Sequence, residues 1–244
     1  MTAAKKVALV TGANKGIGFE ISRNLASAGC TVLLGARDVG RGQQAVQQLA
    51  LAGLDDVYVI EIDVTKQETI SAAARVIEER YGRLDVLLNN AGVNLRGDGL
   101  PGAADVGVVQ EILDTNFFGA LRVAQTMLPL LRKSAAGRIV NISSGLGSLT
   151  FNSDPARTGR GVKLIGYNAS KAALNMLTVH LAHELQDTKI KVNSANPGYT
   201  KTDLNNNQGT QPVEVGAIEA TRLALLEESG STGGSFSKDG PDPW

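Results

Sequence analysis

The sequence predicts an α/β domain with a doubly wound parallel sheet of about seven strands and helices on both faces. Three observations predict it. Short apolar runs rich in Val, Ile and Leu alternate with segments of helical spacing along almost the whole chain, and strands buried on both faces read as such continuous runs. The first run passes straight into a glycine-rich turn, Thr11-Gly12-Ala13-Asn14-Lys15-Gly16-Ile17-Gly18. No Pro/Ser-rich linker divides the 244 residues, so residues 1–244 are expected to form a single domain around a substantial core.

The runs Val7–Val10, Thr31–Leu34, Val57–Ile62, Leu84–Leu88, Arg138–Ile142 and Ile190–Ala195 are too short for globular helices and have strand composition. Helical spacing spans about 16–28, 41–52, 66–80, 106–132 and 166–187 between them. A final helix at about 212–228 and a weak strand near Ser235-Phe236 close the sheet. Pro129 should kink or end its helix, because it has no N–H to give. Two stretches depart from the alternation: 145–165, rich in Gly and Arg, and 199–211, rich in Asn, Gln and Gly. Loops of that length inside a compact domain are more often binding elements than connections. The first is read as a substrate-side insertion and the second as a substrate loop.

Acidic and basic residues number 24 each, leaving no net field to draw nucleic acid or an anionic membrane. No nucleic-acid or membrane partner is therefore expected. The single cysteine, Cys30, suits a reducing compartment, and the apolar run that follows Met1–Lys6 is too short for a signal peptide's hydrophobic region or a membrane span. A cytoplasmic location is expected. His180 and His183 lie one helical turn apart, but no Cys or suitably spaced carboxylate completes a ligand set, so no metal is expected.

Gly12, Gly16 and Gly18 form a Gly-x-x-x-Gly-x-Gly turn between a strand and a helix. Without Cβ atoms they allow a tight turn and close approach of a pyrophosphate, while the helix N-terminus offers free N–H groups and a positive dipole end. This is the dinucleotide site of a Rossmann-type βαβ unit. Asp38, at the end of the second strand, is placed to accept from a ribose 2′-hydroxyl, as NAD requires. Arg37 precedes it, however, and Lys15 adds a second cation from the glycine turn. Two cations suit a 2′-phosphate, which points to NADP(H).

Tyr167 and Lys171 are spaced i and i+4 on a helix, so they share a face. Carbonyl reduction needs a hydride carrier, a polarising donor and an acid. The Tyr167 phenol can give the proton and a serine hydroxyl can donate to the carbonyl oxygen. An ammonium about 6 Å from the phenol, at an effective dielectric near 20, contributes roughly 2.8 kcal/mol toward its ionisation. Ser143 and Ser144 compete for the serine role, because side chains alternate across a strand and one alone can face the site.

Together with the glycine turn, Asn89-Asn90-Ala91-Gly92, Asn116-Phe117-Phe118-Gly119, Ser143-Ser144, Tyr167-x-x-x-Lys171 and Pro197-Gly198 occur in that order. The chain thereby resembles the short-chain dehydrogenase/reductases over essentially its whole length. The long segment between Ser144 and Tyr167 and the Trp244 ending are most similar to the carbonyl reductase branch. The resemblance implies a catalytic tetrad of Asn116, Ser144, Tyr167 and Lys171, with Asn116 anchoring a water that links Lys171 to solvent. It implies cofactor contacts from the glycine turn (Gly12, Asn14, Lys15, Gly16, Ile17, Gly18), Arg37, Asn90, Ala91, Gly92, Tyr167, Lys171, Pro197, Gly198 and Thr200. Asp63 and Val64 would border the adenine, and Thr202 would reach the nicotinamide carboxamide.

The leading expectation is NADPH-dependent reduction of a small ketone or aldehyde. A secondary-alcohol dehydrogenase working oxidatively would use the same residues, and a dinucleotide-sensing protein without turnover would have less need of Ser144, Tyr167 and Lys171 together. Leu146, Leu149, Phe151, Tyr199 and Leu204 are candidates for an apolar pocket; Arg157, Arg160 and Lys163 could favour an anionic group. Glycines at 145, 147, 159 and 161 suit a hinged wall beside the site. Many members of the family it resembles assemble through the helix that matches the Tyr167 helix, but the long segment before it favours a monomer or homodimer over a tetramer.

Overall fold

Each apolar run forms a strand. The computed structural model describes residues 5–158 and 163–244. Strands β1 (Val7–Val10), β2 (Thr31–Ala36), β3 (Val57–Glu61), β4 (Val86–Asn89), β5 (Arg138–Ile142), β6 (Lys191–Ala195), β7 (Ser235–Ser237) and β8 (Gly240–Asp242) lie in one sheet, ordered β3-β2-β1-β4-β5-β6-β7-β8. Neighbours pair in parallel except β8, which runs antiparallel to β7. The helices are α1 (Gly16–Ser27), α2 (Val39–Leu51), α3 (Gln67–Tyr81), α4 (Val106–Leu113), α5 (Ala120–Leu131), α6 (Leu149–Ser153), α7 (Pro155–Thr158), α8 (Ile165–Glu184), α9 (Val213–Gly216) and α10 (Ile218–Ala224).

Strand alternation divides the core in two. Val7 and Leu9 of β1 join Ile70 and Ile77 of α3, Met127 of α5 and Leu174 of α8 on one face. Ala8 and Val10 join Ile21 and Leu25 of α1, Leu49 of α2 and Leu223 of α10 on the other. This is the single-domain, doubly wound layout expected. The chain runs outward from β1 to β3 and then returns to place β4 on β1's other side, so the sheet order reverses between β1 and β4. A crevice opens there at the carboxyl ends of the strands, the usual ligand position in such sheets.

The departures from expectation are local. The sheet has an eighth strand, invisible in sequence because Gly240-Pro241-Asp242 lacks strand composition; proline is tolerated there at the sheet edge. The 106–132 segment is three pieces, α4, a π-helical turn over Asp114–Gly119 and α5, and α5 ends two residues after Pro129. The last helix is split into α9 and α10 and stops at Ala224 rather than near 228. The 145–165 segment contains a 3-10 turn at Gly145–Gly147 followed by α6 and α7. Serine caps explain why glycine-rich chain turns helical there: Ser144 accepts from Leu146 N–H at 3.1 Å and Ser148 from Phe151 N–H at 3.0 Å.

Candidate active site

The glycine turn is braced from β4. Asn90 Nδ2 donates to the Thr11 and Gly12 carbonyls at 2.8 and 3.0 Å, and Thr11 Oγ1 accepts from the Asn90 and Ala91 N–H groups at 3.0 and 3.1 Å. Asn90's amide thus shapes the cradle rather than pointing freely at a ligand. Gly12 takes φ +62, and a Cβ on it would lie 2.9 Å from Ala91 Cα; one on Gly18 would collide with Asn90 Nδ2. Lys15, at the N-cap of α1, provides no side-chain cap. The concave backbone and the helix N-terminus fit a dinucleotide pyrophosphate.

At the end of β2, Asp38 is turned away. Its Oδ1 accepts from Arg41 N–H at 3.0 Å, capping α2, and its Oδ2 lies 3.5 Å from Arg41 Nε. Arg37 is exposed at the cavity edge. Lys15 Nζ is paired with Asp203 Oδ2 at 2.6 Å, which ties the 199–211 loop to the glycine turn. Asp63 is held below the usual carboxylate range. Burial opposes this, but the Thr65 hydroxyl and N–H, with Lys66 and Arg37, outweigh it. Val64 is buried, with its side chain against Gly119.

At the other end of the cavity β5 delivers the two serines. Ser143 is buried and donates to Asn175 Oδ1 at 2.5 Å. Ser144 lines the cavity; its oxygen accepts from Leu146 N–H, and its hydroxyl also hydrogen-bonds the Tyr167 phenol. Of the two serines, Ser144 is the one with its hydroxyl toward Tyr167, while Ser143 is turned to Asn175. Lys171 Nζ donates to the Ile142 carbonyl at 2.7 Å and lies 5.6 Å from the Tyr167 ring centroid.

Burial pushes the Tyr167 phenol up to about 12, opposed by its hydrogen bond with Ser144, and pulls Lys171 down to about 8. Desolvation thus outweighs the Ser144 hydrogen bond at the phenol.

Asn116 lies in the π-helical turn, 1 % exposed. Its Oδ1 accepts from Val93 N–H at 2.7 Å, and its Nδ2 donates to Val93 O at 2.9 Å and Ser170 Oγ at 3.0 Å. Both Nδ2 protons are taken by protein partners, while Oδ1 keeps a second acceptor position. The side chain fixes the chain just after Gly92 against α8.

Sequence reasoning missed a buried polar seam beneath the site. Asn89 donates to Asn141 at 2.9 Å, Asn141 to Thr178 at 2.8 Å, Thr178 and Ser194 share a bond of 2.8 Å, and Ser194 donates to Asn175 at 3.2 Å. On α8, Tyr167, Lys171, Asn175 and Thr178 follow at i, i+4, i+8 and i+11. That single stripe was the available signal.

Apart from Asn116, every residue expected for the tetrad, the cofactor contacts and the apolar pocket lines one cavity of about 1980 Å³. It also takes in Leu146, Phe151, Tyr199 and Leu204, joined by Leu95, Leu100 and Leu164, which the sequence did not single out. Pro197 and Gly198 border it too, but the Thr200 hydroxyl is spent inside the loop on Pro197 O at 2.9 Å. Thr202 sits over Gly16, its Cγ2 3.6 Å from where a Cβ would stand. Lys163 lines the cavity; Arg160, Gly159, Gly161 and the Arg157 side chain lie outside the described residues. Among the described residues no group of three or more His, Cys, Asp or Glu side chains could hold a metal, and no helix is long and apolar enough to cross a membrane.

A doubly wound sheet with a glycine cradle, and with Ser, Tyr and Lys converging at its switch point, defines a class of dinucleotide-dependent oxidoreductases. The family model described as short chain dehydrogenase matches residues 6–212, and the chain belongs to that family. It is 38 % identical over 225 residues to the short-chain dehydrogenase anuI of Penicillium roqueforti, covering 90 % of this chain and 88 % of that one. It is 36 % identical over 262 residues to carbonyl reductase (NADPH) 3 of Rattus norvegicus, covering 93 % of each. Among solved structures it is similar to the NADPH-bound carbonyl reductase from chicken fatty liver, with TM-score 0.85, 28 % identity and 99 % of each chain covered.

Proposed function

We propose that this oxidoreductase reduces an apolar ketone or aldehyde to the alcohol, using NADPH. The observation that carries the reading is that Ser144, Tyr167 and Lys171 line the same cavity as the glycine cradle and Arg37. Bound NADPH would supply the hydride. Ser144 donates its hydroxyl proton to the substrate carbonyl oxygen, holding it beside Tyr167. The Tyr167 phenol gives its proton to that oxygen as negative charge develops there. Protonated Lys171 favours the resulting phenolate across the short Tyr167–Lys171 gap, and Asn116 holds the chain around the ammonium in place.

NADPH is favoured over NADH because Asp38 is engaged in capping α2 while Arg37 stands at the cavity edge. The carbonyl reductases of rat and chicken, named for NADPH, support the same choice. The leucines and Phe151 favour apolar substrates, with the 145–165 segment and the 199–211 loop as the walls.

The test is NADPH oxidation with a panel of cyclohexanone, 2-decalone, acetophenone and benzaldehyde, in the wild type and in Tyr167→Phe. The variant should bind NADPH within about twofold of wild type yet lose about 10²–10⁴ in turnover, the size of a general-acid contribution. Undiminished turnover in Tyr167→Phe would show that another group is the acid.

A further inference from the structure

Helix α8 has no cap of its own. Leu164 occupies its N-cap position and provides no side-chain acceptor, although the first-turn N–H groups of any helix need partners from outside it. Three of them end on two consecutive residues of the loop between β4 and α4. Ile165 N–H donates to Gly99 O at 2.9 Å, Gly166 N–H to Asp98 Oδ1 at 2.8 Å, and Tyr167 N–H to Asp98 Oδ2 at 2.8 Å. Asp98 Oδ1 also accepts from Gly99 N–H at 2.8 Å. The next amide, Asn168, turns inward to Leu164 O at 2.8 Å.

We propose that Asp98 is a positioning residue for Tyr167, its carboxylate fixing the first turn of α8 and with it the place of the phenol relative to Ser144. The proposal rests on Tyr167 being the proton donor. Each carboxylate oxygen takes one of two successive N–H groups, so the pair resists both rotation of the helix about its axis and sliding along it. Bonds to an ionised acceptor are about twice as strong as neutral ones, and an anion at a helix N-terminus is further favoured by the dipole.

The local backbone is arranged for this approach. Gly97 takes φ +106, a left-handed conformation that side chains rarely adopt, immediately before Asp98. Gly166 has no Cβ, and one there would lie 3.2 Å from Asp98 Cγ and 3.1 Å from Ile112 Cδ1. The same loop is clamped at its other end by Asn116 on Val93 and contributes Leu95 and Leu100 to the cavity. Asp98 thus joins a substrate wall directly to the helix that carries Tyr167.

The experiment compares Asp98→Ala and Asp98→Asn with the wild type at saturating NADPH, using the panel ketone turned over fastest. Asp98→Ala should lower kcat about 10- to 100-fold, the effect of a displacement of about 1 Å at a reacting group. NADPH stoichiometry should be unchanged and its Kd should stay within about twofold, because the cradle and Arg37 lie elsewhere in the cavity. The deuterium isotope effect from 4-deuterated NADPH should rise as chemistry slows relative to release. Asp98→Asn keeps one acceptor oxygen and should recover part of the rate. In a Tyr167→Phe background Asp98→Ala should add no further loss. A kcat within twofold of wild type, or a loss matching a fall in NADPH stoichiometry, overturns the proposal. Amide hydrogen exchange of the 163–172 segment tests the cap without any substrate: faster exchange in Asp98→Ala is expected, and wild-type protection overturns the proposal. Failure of the proton-donor reading shows separately, as full turnover in Tyr167→Phe.

Discussion

Lys171 is 4 % exposed, and burial brings its ammonium from the ordinary 10.5 down to about 8. If the protonated form assists Tyr167, reductive kcat should fall as pH rises through about 8, and Lys171→Met should remove that limb while lowering the plateau. Stability carries the same signature with a defined sign. Between about pH 8 and 10.5 the unfolded chain keeps a proton that the folded chain has released, so stability rises with pH across that window; the penalty is fully present below about 8. Urea denaturation at pH 7.5 and 10 checks this, and Lys171→Met should show a weaker gain. Arg37→Ala should weaken NADPH binding about 10- to 100-fold, the loss of one charge-assisted phosphate contact worth about 1.5–3 kcal/mol, and leave NADH unchanged. Fluorescence titration of both cofactors reads it. Lys15→Ala should cost less, because Asp203 already neutralises that ammonium. At this scale the sequence displayed Lys15, Arg37, Tyr167 and Lys171, yet not how each is partnered.

Helix α8 shows how an element converts a local pattern into a site. Below the half-buried Tyr167 its inward stripe carries the buried polar residues Lys171, Asn175 and Thr178, and Asn175 Oδ1 accepts from both Ser143 and Ser194. Asn175→Leu keeps the volume but leaves those hydroxyls short of an acceptor, at about 1–3 kcal/mol for each buried group left unpaired. Urea denaturation should show that loss, with kcat falling more than NADPH affinity because Ser143 directly precedes Ser144. The register of helices and strands was legible here: β1 and β5 coincide with their apolar runs, and most other boundaries shift by a residue or two. The π turn around Asn116 and the short helices after Ser144 were not. They depend on side-chain caps and packing against neighbours, which override the 3.6-residue periodicity.

Across the whole molecule the two ends of the sheet have different duties. The cavity occupies the carboxyl ends of the strands. At the opposite end Asp85, 6 % exposed, accepts from Val7 N–H at 2.8 Å, Ser134 Oγ at 2.6 Å and Arg83 Nε at 3.1 Å. Nearby Arg138, 2 % exposed, donates to the carbonyls of Ala136, Gly137, Lys189 and Leu226. Asp85→Ala should cost about 2–3 kcal/mol by leaving buried donors unpaired, while NADPH affinity measured well below the melting temperature stays within about twofold. A comparable loss of cofactor affinity would show that the two ends are coupled. The sequence by itself determined the sheet, the order of its strands' apolar runs and the glycine turn, and it offered Ser144, Tyr167 and Lys171 as candidates, because periodicity and short motifs are local. Only the tertiary structure decided that Asp98 caps α8, that Asn175 holds Ser143 and that burial raises the phenol. Asp98 and Tyr167 are 69 positions apart and Ser143 and Asn175 are 32 apart. Contacts across such separations are set by how the layers pack, and no local spacing encodes them.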